Sequence, residues 1–139
     1  GGLWRVGIDG RWVLQMPDAP GGGTSGALLR NEGTGRLLLF DGGTLHAYDA
    51  NNALLWQAGL PDVSGMVDLS QYDAITLLTS SSGHVIALNA EGLVCGRLRV
   101  FGRDDARVWH DLGSDGTLRV AVADQIIGLD WADFTSRCA

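Results

Sequence analysis

Lysine is missing from this 139-residue chain, and glutamate occurs only twice, at Glu32 and Glu91. All ten basic residues are arginine, and aspartate supplies fourteen of the sixteen acidic ones. Lys and Glu are good helix formers, whereas Asp and Gly favour turns. With 21 glycines added to that bias, the composition predicts a β-rich chain with many tight turns. Long apolar runs are also missing, so no membrane-spanning helix is expected. The net charge of −6 comes without a basic cluster, which argues against nucleic acid as the main partner. At 45% apolar residues the chain is too hydrophobic for disorder and long enough for a sizeable core. Cysteine is scarce. Cys95 and Cys138 are too few for a disulfide framework and lack metal-ligand spacing, so free, partly buried thiols are expected. The chain opens Gly1-Gly2-Leu3, without Met or a visible signal peptide. That start is expected of a processed protein, a tag remnant or a domain cut from something longer.

What is present is a repeat. Gly7-Ile8-Asp9, Ala47-Tyr48-Asp49, Ala87-Leu88-Asn89 and Gly128-Leu129-Asp130 each read small, large apolar, then Asp or Asn. Their final positions are separated by 40, 40 and 41 residues. The columns before them also agree, with Arg5, Leu45, Val85 and Ile126 two places ahead of the small residue. Upstream of the last three motifs lie the apolar runs 37–40, 75–78 and 118–122, preceded by first strands near 26–29, 65–69 and 107–110. Downstream of the first three lie 12–14, 53–56 and 93–95. Short strands separated by turns are the reading. The closing Asp or Asn suits a turn because its side chain can bond the backbone two residues on. Both faces of the motif strand are apolar, as in a strand between packed sheets.

Four strands in about forty residues is the signature of a β-propeller blade. Gly43-Thr44-Leu45-His46-Ala47-Tyr48-Asp49-Ala50, ending at Leu55-Trp56, resembles the blade element of bacterial quinoprotein-like and WD-repeat-like propellers. Gly83 to Gly92 repeats it without the Trp. The resemblance implies an all-β fold, a partial propeller of three to four blades of four antiparallel strands. One propeller-type domain over 1–139 is expected, with blades or remnants at 1–16, 24–57, 65–100 and 107–139. The last unit has little chain left for a fourth strand. Cys95 and Cys138 fall on outer strands of adjacent blades, which puts them too far apart to bridge.

An open arc leaves apolar blade faces in water. The chain is therefore expected to be part of a larger ring, or to meet a protein partner or copies of itself that complete one. Propellers bind partners on the face bearing the loops between blades. Here that rim carries Asp18, Asp62, Arg103, Asp104 and Asp105, the expected binding residues. No catalytic or metal residues are expected. His110 and Asp111 are adjacent, so in a strand they face opposite ways. Asp49 to Asn52 lacks the glycine and glutamate of a calcium loop. Gly21 to Gly23 precedes no Lys-Ser/Thr, so it is no phosphate loop. Quinoprotein dehydrogenases hold their quinone in a full ring with charged ligands, which this chain does not supply, so no cofactor is expected.

The expectation is a soluble, non-enzymatic interaction or scaffold module of the bacterial cytoplasm or periplasm. The alternatives are a small acidic inhibitor or immunity-like protein masking a basic partner, and a fragment of a propeller enzyme or sugar-binding propeller.

Overall fold

In the computed structural model, residues 3–6, 12–16, 27–30 and 33–138 are described, with side chains at Leu29 and from 33 onward. The first copy of the motif, at 7–9, lies outside them. The described residues form strands in four antiparallel sheets. The first is a hairpin of β1 (Leu3–Val6) and β2 (Trp12–Met16). The second runs β3 (Ala27–Arg30), β4 (Leu37–Asp41), β5 (Thr44–Tyr48) and β6 (Leu54–Gly59) in sequence order. The third repeats that order with β7 (Val67–Tyr72), β8 (Ile75–Ser80), β9 (His84–Leu88) and β10 (Val94–Arg99). The fourth has three strands, β11 (Val108–Leu112), β12 (Thr117–Val122) and β13 (Gln125–Asp130). The first strands of successive sheets approach one another, β3 to β7 and β7 to β11. That arrangement makes each of these three sheets a blade whose first strand lies nearest a common axis.

The turns form as the sequence predicts. Asp49 Oδ1 accepts from the Asn51 and Ala53 amides at 2.8 and 2.9 Å. Asn89 Oδ1 accepts from Glu91 and Leu93 at 3.0 Å each. In the last copy Asp130 Oδ1 instead accepts from Ala132 N at 3.2 Å and caps a one-turn helix, α1 (Trp131–Phe134). The same kind of side chain that closes a hairpin in two blades diverts the chain into a helix in the third.

Two cores lie between the blades. The second and third sheets enclose Leu38, Phe40, Leu45, Ala47, Leu69, Leu78, Ile86 and Leu88. Each fully buried Leu or Ile there contributes about 1.5–3 kcal/mol. The third and fourth sheets enclose Leu77, Val85, Leu118 and Val120, with Tyr72, Leu98, Trp131 and Phe134 packed against them. Trp131 meets Tyr72 edge-on, with ring centroids 5.3 Å apart.

The cysteines correct the sequence reading. Cys95 and Cys138 form a disulfide, with Cα atoms 5.0 Å apart. After β13 the chain does not run along the outer edge of its own sheet. Helix α1 turns it back over β10 of the preceding sheet. A Cβ on Gly96 would stand 2.7 Å from the Phe134 carbonyl oxygen, so only glycine admits this close approach. The segment thus carries Cys138 to Cys95.

Candidate functional site

One rim of the molecule is built from hairpin turns and interblade loops. The β4–β5 turn and residues 60–66 meet where Leu60 N donates to Gly43 O at 2.6 Å. The β8–β9 turn meets residues 100–106, where Val100 N donates to Gly83 O at 2.8 Å and Arg103 N to Ser81 O at 2.7 Å. Gly83 (φ +101°) and Gly102 press their backbones together with no room for a Cβ on either. Serines lock the two loops: Met66 N donates to Ser81 Oγ at 2.8 Å, and Ser64 N to Ser82 Oγ at 3.2 Å.

The expected rim residues divide. Asp104 Oδ1 accepts from Ser64 Oγ at 2.7 Å, a bond that joins the two interblade loops. Arg103 Nε lies 3.6 Å from Asp105 Oδ1, both side chains more than half exposed. Such an exposed pair adds little stability. Asp62 is exposed. Its backbone lies near the ring of His84 without completing a hydrogen bond. His84 is buried with both ring nitrogens unpartnered. Burial, with the charge of Arg99, pushes its pKa down, so the ring is neutral at pH 7. Asp18 lies outside the described residues.

Beside Asp104 the rim carries a cleft of about 290 Å³. Phe40, Val63 and Pro61 supply its apolar lining, Gly42, Gly43 and Gly65 its backbone, and Ser64 a hydroxyl. None of these side chains is ionisable.

A second polar cluster escaped the sequence reading. His110 on β11 faces the third sheet with its side chain fully enclosed. Its Nδ1 lies 2.7 Å from Thr79 Oγ1 and 3.2 Å from Asp68 Oδ2, and its Nε2 lies 2.6 Å from Ser70 Oγ. The His110 amide also donates to Asp68 Oδ2, at 3.1 Å. A neutral imidazole donates from one ring nitrogen and accepts at the other, so the Thr79 and Ser70 hydroxyls take opposite roles, with the Asp68 carboxylate beside Nδ1. Asp111 is exposed on the other face, as strand alternation requires. Carboxylate, imidazole and hydroxyl stand in the order of a hydrolytic triad. Enclosure between two packed sheets makes the cluster a polar lock across their seam. The one hint in the sequence was period two, which puts Asp68 and Ser70 on one face of one strand.

His46 stacks on Tyr48, with centroids 6.1 Å apart. Among the described residues no cluster of three His, Cys, Asp or Glu side chains is placed to hold a metal. Among them, too, no helix is long and apolar enough to cross a membrane.

No protein-family model matches the sequence, and no curated protein matches it. Solved structures resemble its fold, and two of them illustrate the likeness. BamB from Moraxella catarrhalis, a β-propeller protein, aligns with a TM-score of 0.52 at 19% identity. The alignment covers 76% of this chain and 33% of that one. KlHsv2, with loop 6CD replaced by a Gly-Ser linker, aligns with a TM-score of 0.50 at 15% identity, over 77% of this chain and 36% of that one. The chain spans about a third of the length of each. At such identities the likeness shows fold alone, and the fold is an all-β partial propeller.

Proposed function

We propose that the chain is a non-enzymatic interaction module that receives a protein partner on the rim. One observation carries this reading: a shallow cleft without ionisable side chains sits beside a carboxylate already held in place. Ser64 lines the cleft and donates to Asp104. A group fixed before binding loses less freedom when the partner arrives. Asp62 and Asp105 are exposed on the same rim. The fitting partner segment is basic, with an apolar side chain for the cleft. The net charge of −6 would steer it in. The Cys95–Cys138 bond favours an oxidising compartment, such as the bacterial periplasm.

Peptides selected from a random displayed library test the reading. They should carry Arg or Lys beside an apolar residue, and bind more slowly as salt rises. They should be lost on the triple variant Asp62→Arg, Asp104→Arg, Asp105→Arg. Equal capture by wild type and variant would sink the rim as the site. A fluorophosphonate that labels the wild type but not Ser70→Ala would sink the non-enzymatic part.

A further inference from the structure

We infer that the outer face of the β11–β13 sheet joins two copies of this chain about a two-fold axis. The register sets Trp109, Ala121 and Ile126 directly opposite one another across the three strands. Opposed residues share a face, so these form one apolar row. Trp109 is 56% exposed and Ile126 77%. The adjoining row is Asp111, Arg119 and Gly128. The other face of this sheet, with His110, Leu118 and Val120, is buried against the preceding blade.

The column of the repeat that contains Ile126 says what kind of surface this is. Its earlier members are Leu45, 0% exposed, and Val85, 1% exposed. Leu45 lies in the core against the third sheet, and Val85 in the core against the fourth. The cover in both cases is another blade of this protein. Ile126 occupies the same column with nothing over it.

A second copy has one such face to offer among the described residues. The faces pointing the other way are filled: Leu37 and Leu39 on the second sheet, Leu78, Ile86 and Leu88 on the third, Leu118 and Val120 on the fourth. The row beside it, Asp111 and Arg119, carries both signs, so the face is complementary to itself. A surface that meets itself is isologous, and the assembly closes at two. Arg119 can stand against Asp111 of the second copy. Its present partner, Asp115 at 3.1 Å, is half exposed and holds it weakly. The rim takes no part, so this contact stands or falls apart from the rim reading.

Sedimentation equilibrium of the oxidised chain over a range of concentrations decides it. Wild type should reach twice the chain mass. Ile126→Asp should raise the apparent dissociation constant by about tenfold or more, as expected of a central apolar contact. Its circular dichroism should not change, because Ile126 lies outside the cores. Trp109→Ser provides a second variant with the same expectation. Arg119→Asp should weaken the dimer, and adding Asp111→Arg should restore it. A wild type at single-chain mass throughout would overturn the proposal; that is the result if this face belongs to a further blade of a longer chain. A mass growing past two, or Ile126→Asp and Trp109→Ser assembling like wild type, would also overturn it.

Discussion

The Nε2 of His110 lies 2.6 Å from the hydroxyl of Ser70, a bond that crosses from the fourth sheet to the third. With Thr79 and Asp68 on Nδ1, the ring satisfies polar groups on two strands of the neighbouring blade. Replacing it by an apolar side chain strands them. His110→Leu should therefore cost about 1–3 kcal/mol. Urea unfolding should show a lower midpoint with an unchanged slope.

The same ring makes stability depend on acidity. Burial holds its pKa below the usual 6.5, against the opposing pull of Asp68 and Asp111. When the folded value lies below the unfolded one, the unfolded chain takes up its proton first as pH falls. The contribution is complete above 6.5 and is lost as pH drops from there through the folded value. Urea midpoints measured from pH 8 to pH 5 should fall below 6.5, and His110→Leu should flatten that fall. His84, shifted the same way, contributes in the same direction and remains in the single variant.

Reduction should loosen the end of the chain. The Cys95–Cys138 bond spans 43 residues, and its removal should cost about 2–5 kcal/mol. Thermal unfolding with and without dithiothreitol gives the comparison. Thiol titration in denaturant should find no free thiol before reduction and two after it.

Ala87 sits opposite Leu77 on one side and Gly96 on the other, with no exposure. Gly96 is itself covered by Phe134. Ala87→Leu has nowhere to expand and should destabilise by about 1–3 kcal/mol or more. Wild-type stability in this variant would contradict the packing described.

The turn residues should separate cleanly. Asp49 accepts two backbone amides, so Asp49→Ala should cost roughly 0.5–2 kcal/mol, as loss of a capping side chain does. The exposed Asn51 side chain has no such role, and Asn51→Ala should stay within about 0.5 kcal/mol of wild type.

Much of this architecture was legible because it is periodic. The recurring Asp49, Asn89 and Asp130 marked the strand ends, and alternation placed Leu45, Ala47, Val85 and Ala87 in the interior. What stayed hidden depends on pairing across blades. Thr79 and His110 are 31 residues apart, and no local pattern says that they meet. The disulfide was misjudged for a related reason. Cys138 lies on no outer strand, because a single turn of helix after Asp130 carries it off its own blade. On the rim, the aspartates were visible as loop residues. Which of them is held, as Asp104 is by Ser64, depends on a contact across forty positions.

The two seams between blades differ in what they respond to. The one between the second and third sheets is closed by apolar side chains, with no titrating group and no sulfur among its core members. The one between the third and fourth holds the imidazole and lies beneath the helix that the disulfide tethers. Acid and reductant, two unrelated chemical stresses, therefore act on the same joint. Under either one the molecule should part there first, with the second and third blades still held together.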